Sequence, residues 1–313
     1  MDLTLDPALP PAAECLLDHA PYAPFMEPRT ARAPGLMPLG DLPLTVLLPD
    51  FAAQMRRREL LIAGAPGRVL ACEPEAEAPA RELLALVAAE LEARPGYARE
   101  GAVWHRPDGG AVCHAVDAPL ATLGLLTAED FCLLLPDPAS GEYRLAGAVL
   151  CFPSRWLLSE KLCRPLTAIH EPVPDYEAAL ARRVNRVFET LRPGRGLWRV
   201  NWLVPATPEP HLPLGLSDKT VAEANPSEGL YLRTERQTLT RLPETGAVAF
   251  SIKTSICPLE ALTPDQAAAL SRELAALEPA VIAYRAGADM HAAALARLAE
   301  IAGQPGGAAP SSA

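Results

Sequence analysis

Hydrophobic and polar positions divide the chain into an irregular start, two helical stretches, a run of strands broken by one helix, and a helical end. Residues 1–44 keep no period of 2 or 3.6 and are punctuated by DPALPP, HAPYAP and EPRTARAPG, which predicts an extended arm wrapped on the rest. From Asp50, a plausible N-cap, FAAQMRRRELLIA has helical spacing; a second helix is expected over about 76–93, ending before Pro95-Gly96. Trp104 to Asp117 reads as a hairpin around PDGG, and EDFCLLLP and YRLAGAVLCFP as another around DPASGE. The second of these strands is apolar on both sides, as in a covered central strand. Asp175 is placed to cap an amphipathic helix with Tyr176, Leu180, Val184, Val187, Phe188 and Leu191 on its apolar stripe. A strand over 196–204 and a 25-residue loop follow, and such long loops are often functional. Thr263, with Pro264 at the first helical position, opens a helix to about Leu277, another helical segment runs to about Ala302, and 303–313 reads as a disordered tail. Helices, then antiparallel strands with an inserted helix, then helices, predict an α+β fold with one domain over 45–302.

The stretch RTERQTLTRLPETGAVAFSIKT, Arg233 to Thr254, stands apart. It reads as two strands and a short turn. Alternation puts Arg233, Glu235, Gln237 and Arg241 on one side of the first strand and Thr234, Arg236, Thr238 and Thr240 on the other. The second strand alternates Val248, Phe250, Ile252 and Ile256 with Ala249, Ser251, Lys253 and Ser255. A solvated edge strand and a strand carrying buried charge both fit this pattern. Arg233 and Arg236 are expected on opposite faces, unless a bulge intervenes.

Composition removes several classes. The net charge of −10 gives no electrostatic footprint for nucleic acid or an anionic membrane. No apolar run reaches the roughly 18 residues of a membrane span, and MDLTLDPALP has neither a basic nor an apolar leader region. The seven cysteines form no CxxC pair, which predicts a reduced, cytoplasmic protein and argues against a zinc site, an iron–sulfur cluster or covalent haem attachment in this chain.

Hydrolase, kinase and dinucleotide signatures such as GxGxxG, GxSxG and HExxH are missing. Of six histidines, His170 is the best placed for chemistry. It sits in AIHEPVP, where Pro172 and Pro174 hold the following residues extended and stiffen the segment. A rigid imidazole suits an axial metal ligand or a general base; a capping or core histidine is the plainer reading. His211, in the long loop, could face a pocket; His105 and His114 fall on opposite arms of a hairpin, at the surface. Glu171 is the adjacent acid to test. Arg233, Arg236 and Arg241 could clamp carboxylates or phosphates, or simply pair with Glu235. Trp156, Trp198 and Trp202 are most simply packing residues, with pocket lining as the alternative.

Three runs, CFPSRWLLSEKLCRPLTAIHEPVPDY, RVNWLV and RTERQTLTRLPETGAVAFSIKT, together with YAPFMEP and EDFCLLLP, resemble the haem-dependent oxidative N-demethylase alpha-subunit family over about residues 20–290. The resemblance implies a PAS-like domain binding haem b, with a core over about 103–257, and oxidative removal of a methyl group from a small secondary amine such as dimethylamine, a monooxygenase-type reaction using O₂. It also implies partner subunits that carry FMN, a [2Fe–2S] cluster and tetrahydrofolate and draw electrons from NADPH. In that frame His170 is the expected axial ligand. Arg233 and Arg236 are expected to meet the propionates or bound oxygen, with Trp156 and Asn201 in the cofactor environment. Glu171, Asn201 and Glu235 are the polar groups to test for holding an ammonium, which offers donors only and needs an acceptor. Two other readings are kept beside this one: a non-catalytic haem-binding or gas-sensing PAS-like module, and a haem-free scaffold subunit.

Overall fold

A computed structural model describes residues 7–31, 35–170, 186–214, 226–285 and 287–304. Its centre is a seven-stranded antiparallel sheet, in spatial order β1-β8-β9-β10-β6-β7-β2. The strands are β1 (Met37–Pro38), β2 (Leu70–Cys72), β6 (Asp130–Asp137), β7 (Glu142–Val149), β8 (Leu197–Leu203), β9 (Tyr231–Arg241) and β10 (Val248–Pro258). A separate small sheet holds β3 (Ala98–Glu100), β4 (Val103–His105) and β5 (Ala111–Cys113). The helices that matter are α1 (Phe51–Gly64), α2 (Glu77–Glu92), α3 (Pro119–Leu126), α4 (Leu166–His170), α5 (Pro264–Ala275), α6 (Pro279–Arg285) and α7 (Ala288–Ala302). The protein is therefore α+β, built on a large antiparallel sheet. No helix among the described residues is long and apolar enough to cross a membrane.

Strand alternation sorts the core. On one face Phe131, Leu133, Ala146, Val149 and Ala249 pack under α1, α2 and α3. On the other, Cys132, Leu134, Leu145, Ala148, Val248, Leu239 and Phe250 meet Trp156, Leu158, Leu166, Ile169, Phe188 and Leu191. A third cluster joins Leu17 and Phe25 of the N-terminal segment to Trp202, Leu232 and helices α5 and α7. α5 starts as its sequence predicts. Thr263 accepts the Gln266 N–H at 3.2 Å, and the Gln266 side chain returns to the Thr263 N–H at 3.0 Å, a reciprocal cap.

Asp50 departs from expectation. It precedes α1 but makes no side-chain cap, because its carboxylate is taken by Lys253, at 3.0 and 3.1 Å, and by the Gln54 amide at 2.7 Å. An ion pair inside the protein outweighs a local cap. The helix expected after Asp175 falls mostly outside the described residues; its end, 186–190, is helical.

Candidate functional site

β8, β9 and β10 run in continuous register, with Arg233 opposite Ile256 and Leu203, Glu235 opposite Thr254 and Asn201, and Gln237 opposite Ile252 and Arg199. No bulge interrupts β9, so Arg233 and Arg236 face opposite sides of the sheet.

On the first side, Arg233 has no exposure, and Glu235 and Gln237 are buried. The Arg233 guanidinium donates from Nε to Glu235 at 3.2 Å, from Nη1 to the Pro210 carbonyl at 3.0 Å, and from Nη2 to the Phe152 carbonyl at 2.8 Å and the Thr254 hydroxyl at 3.3 Å. Glu235 also accepts from Gln237 at 3.1 Å and from Asn201 at 3.4 Å, so three donors share one carboxylate. Arg199 donates from Nε to the Gln237 side-chain amide oxygen at 2.7 Å. Burial pushes the Arg199 guanidinium below its ordinary value, with the Glu235 charge acting the other way. The row continues along the strands into apolar ground, since Leu197, Leu239 and Phe250 follow Arg199, Gln237 and Ile252 on the same face. Polar and apolar surfaces thus abut on one wall.

Two segments cover that wall. Residues 163–165 pair with β7, through Cys163 N–H to the Leu145 carbonyl at 2.8 Å and Leu145 N–H to the Arg164 carbonyl at 3.2 Å. Cys163 adopts φ 62°, a left-handed turn that costs a non-glycine residue energy and lets the chain double back here. Glu142 of β7 then accepts the Thr167 N–H at 3.0 Å and its hydroxyl, fixing the start of α4. This anchors the helix that ends at His170. The other segment is 209–212. His211 is buried, and its Nδ1 lies 2.6 Å from the Cys151 carbonyl, which can only accept, so Nδ1 carries the proton. Arg57 of α1 pairs with Glu209, which caps the His211 N–H at 2.9 Å. These contacts set Pro210, and through it Arg233.

The opposite side is organised differently. Arg236 donates to the Pro43 and Leu44 carbonyls at 2.6 and 3.2 Å and lies over the Trp198 ring, 5.7 Å from its centre. Lys253, its cross-strand partner, has no exposure and is held by Asp50, by Gln54 at 3.0 Å and by the Thr254 carbonyl at 2.9 Å. Glu129 precedes β6; one of its oxygens accepts the Val46 N–H at 2.7 Å, and burial raises its pKa. Glu90 accepts the N–H groups of Leu44 and Thr45, and Arg94 donates to the Thr45 carbonyl. Residues 43–46 are therefore a strap whose backbone is bonded almost entirely by side chains.

The residues expected from sequence thus separate. Arg233, Glu235 and Asn201 come together. Trp156 packs beside the apolar end of the same wall, with the Lys161 ammonium 4.7 Å from its ring centre. Arg236 lies across the sheet, so it and Arg233 cannot both border one ligand. His170 ends α4, and Glu171 lies outside the described residues. Arg241 is bound to the carbonyls of Leu191, Phe188 and Gly246 and to the Tyr143 hydroxyl, a packing role at the apolar end. His105 is exposed and His114 half-buried, and the Trp104 indole donates to His114 at 3.1 Å. Sequence reasoning missed Arg199, which strand parity already placed beside Asn201. It also missed Glu142, Glu209 and Arg57, which carried no motif.

Among the described residues no group of three or more His, Cys, Asp or Glu side chains is close enough to hold a bare metal ion. The wall is thus apolar at one end and charged at the other, within an α+β fold. The model of the haem-dependent oxidative N-demethylase, alpha subunit-like family matches residues 46–295, most of the chain, and the protein belongs to that family. The match spans the whole wall and its covering segments. The family's description implies haem dependence, oxidative demethylase chemistry and partner subunits.

Proposed function

We propose that the chain binds haem b against the Arg233 side of the sheet and removes a methyl group from a small secondary amine of the dimethylamine kind. The observation that carries this reading is the wall itself, in which a largely buried Arg–Glu–Asn–Gln row runs directly into an apolar patch within the segment matched to the family. In this reading the sheet is the PAS-like core that the resemblance implies.

The residues fit such a group. Leu239, Phe250, Ile169 and Trp156 supply an apolar bed. Cys132, whose thiol burial raises to about 12, stays neutral and adds to it. His170 is the proposed iron ligand, delivered by a helix tied to β7 through Glu142. When bound, haem supplies O₂ activation, and the overall change is balanced as amine, O₂, two electrons and two protons giving the demethylated amine, formaldehyde and water. The electrons come from a partner subunit bearing flavin and an iron–sulfur cluster. Arg233 is paired with Glu235 in the dry wall. Its donors hold the wall in shape, while Glu235 and Asn201 offer acceptors to an ammonium. Glu171, next to His170, remains the proposed acid. Arg236 holds the strap.

The test begins with the absorption spectrum of the protein supplied with haem. A Soret band that changes in His170→Ala supports the ligand assignment, and an unchanged spectrum removes it. The haem-loaded, reduced protein given O₂ and dimethylamine is expected to release methylamine and formaldehyde. Haem binding without product would favour the sensing module instead.

A further inference from the structure

Lys161 stands out among the charged groups of the apolar patch. It closes the short helix Leu158–Lys161, in the segment that folds over the wall. Its ammonium lies 4.7 Å from the centre of the Trp156 ring, with the neutral Cys132 thiol close by. Among the described residues it forms no ion pair, and its Nζ donates to no acceptor. Burial is the largest influence on it and lowers its pKa. Lys161 is half-buried, and the neighbouring Glu160 charge favours its protonated form; an ammonium has three donors and no acceptor. The Trp156 face offsets part of the lost hydration.

Four cations of the strands are committed elsewhere. Arg233 is saturated by Glu235, two carbonyls and Thr254. Arg236 is across the sheet, bound to Pro43 and Leu44. Lys253 is enclosed by Asp50 and Gln54. Arg241 is committed to carbonyls and Tyr143. Lys161 therefore sits at the patch with its donors unspent, beside the aromatic ring that would flank a flat ligand.

We infer that Lys161 is the carboxylate anchor of this site: its ammonium pairs with an acidic side group of the bound macrocycle, while Arg233 belongs to the wall. The inference rests on the haem reading above and deepens it, replacing the arginines expected in that role with a residue that the structure leaves available. Trp156 then has two functions, as apolar flank for the ring system and as the surface that keeps the lysine stem in place before the ligand arrives.

The test uses the full chain without haem, titrated with haem and with haem dimethyl ester, in which both acidic groups are blocked; affinity is read from the absorbance change and from tryptophan quenching. Lys161→Met keeps the stem and removes the charge, and Lys161→Arg keeps the charge. Wild type is expected to bind haem about 10-fold more tightly than the ester, a difference of about 1.4 kcal/mol. Lys161→Met is expected to weaken haem about 10-fold, leave the ester within about twofold, and so erase the preference; Lys161→Arg is expected to keep most of it. The anchor is refuted if Lys161→Met retains the preference, or weakens both ligands alike as a packing defect would. Wild type binding both ligands equally would also refute it while leaving the haem reading intact. If wild type binds neither, the haem reading itself fails and the anchor with it.

Discussion

The two sides of β9 carry nearly the same chemistry and put it to different ends. Alternate residues of one strand give Arg233 and Glu235 to one face and Arg236 to the other, where Lys253 joins it from β10. Both rows are buried. On the Arg236 side the charges are consumed by the protein's own backbone and by α1, and what they hold is a strap of chain, residues 43–46. On the Arg233 side the guanidinium also meets the Pro210 and Phe152 carbonyls, but the charges pair with one another and the row ends at an apolar patch. The same residue types thus serve as clamp on one face and as polarised wall on the other. The faces differ in what lies beside the charges, a strap of chain on one and an apolar patch on the other.

Substitutions that act on one face alone break or sharpen this contrast. The largest effect is expected from Asp50→Ala, which leaves the Lys253 ammonium buried without its carboxylate. A loss of about 3–5 kcal/mol in denaturant unfolding is predicted, most of it recovered when Lys253→Met is added, with the spectrum of bound haem unchanged. Arg233→Met strands Glu235 and releases Pro210 and Phe152. A loss of about 3 kcal/mol is predicted together with a shifted haem spectrum, and Glu235→Gln in the same chain restores part of the stability. If Arg233→Met and Asp50→Ala change the spectrum equally, the division between faces is wrong.

Arg236→Gln is smaller still. It removes two charge-assisted bonds to the strap, so about 2 kcal/mol of stability should be lost and proteolysis should increase within residues 39–48, without effect on haem. The smallest effect is a pH dependence at Glu129. Its folded pKa is raised by burial, so the folded state binds the proton more tightly than the unfolded chain. The stability tied to that proton is present at low pH and is lost as pH rises above the ordinary carboxylate range. Lys253, Arg94 and Arg236 act in the opposite sense on the same carboxyl. Glu129→Gln should remove the slope, so its advantage over wild type should grow with pH; an advantage that shrinks would reverse the assignment.

Much of this arrangement is legible in the sequence because strands alternate. The opposite facing of Arg233 and Arg236, and the grouping of Glu235 and Gln237 with Arg233, follow from parity in a strand that keeps its register. The Thr263 cap and the hairpins at PDGG and DPASGE follow from local turn chemistry. Long-range pairings are another matter. Asp50 looks like a cap until Lys253, some 200 positions away, is seen to take its carboxylate. Arg57 with Glu209, and Glu142 with Thr167, join segments whose proximity depends on the whole fold. Lys161 is apparent as a ligand group only once its neighbours' partners are known.

The central claim is that the Arg233 side receives haem. The most direct measurement is a haem titration of wild type alongside Arg233→Met and Arg236→Gln, followed at the Soret band. The account predicts saturable binding at one haem per chain in wild type, a spectrum and affinity retained in Arg236→Gln, and both altered in Arg233→Met. No Soret band in wild type, or a band sensitive to Arg236 and indifferent to Arg233, would contradict it.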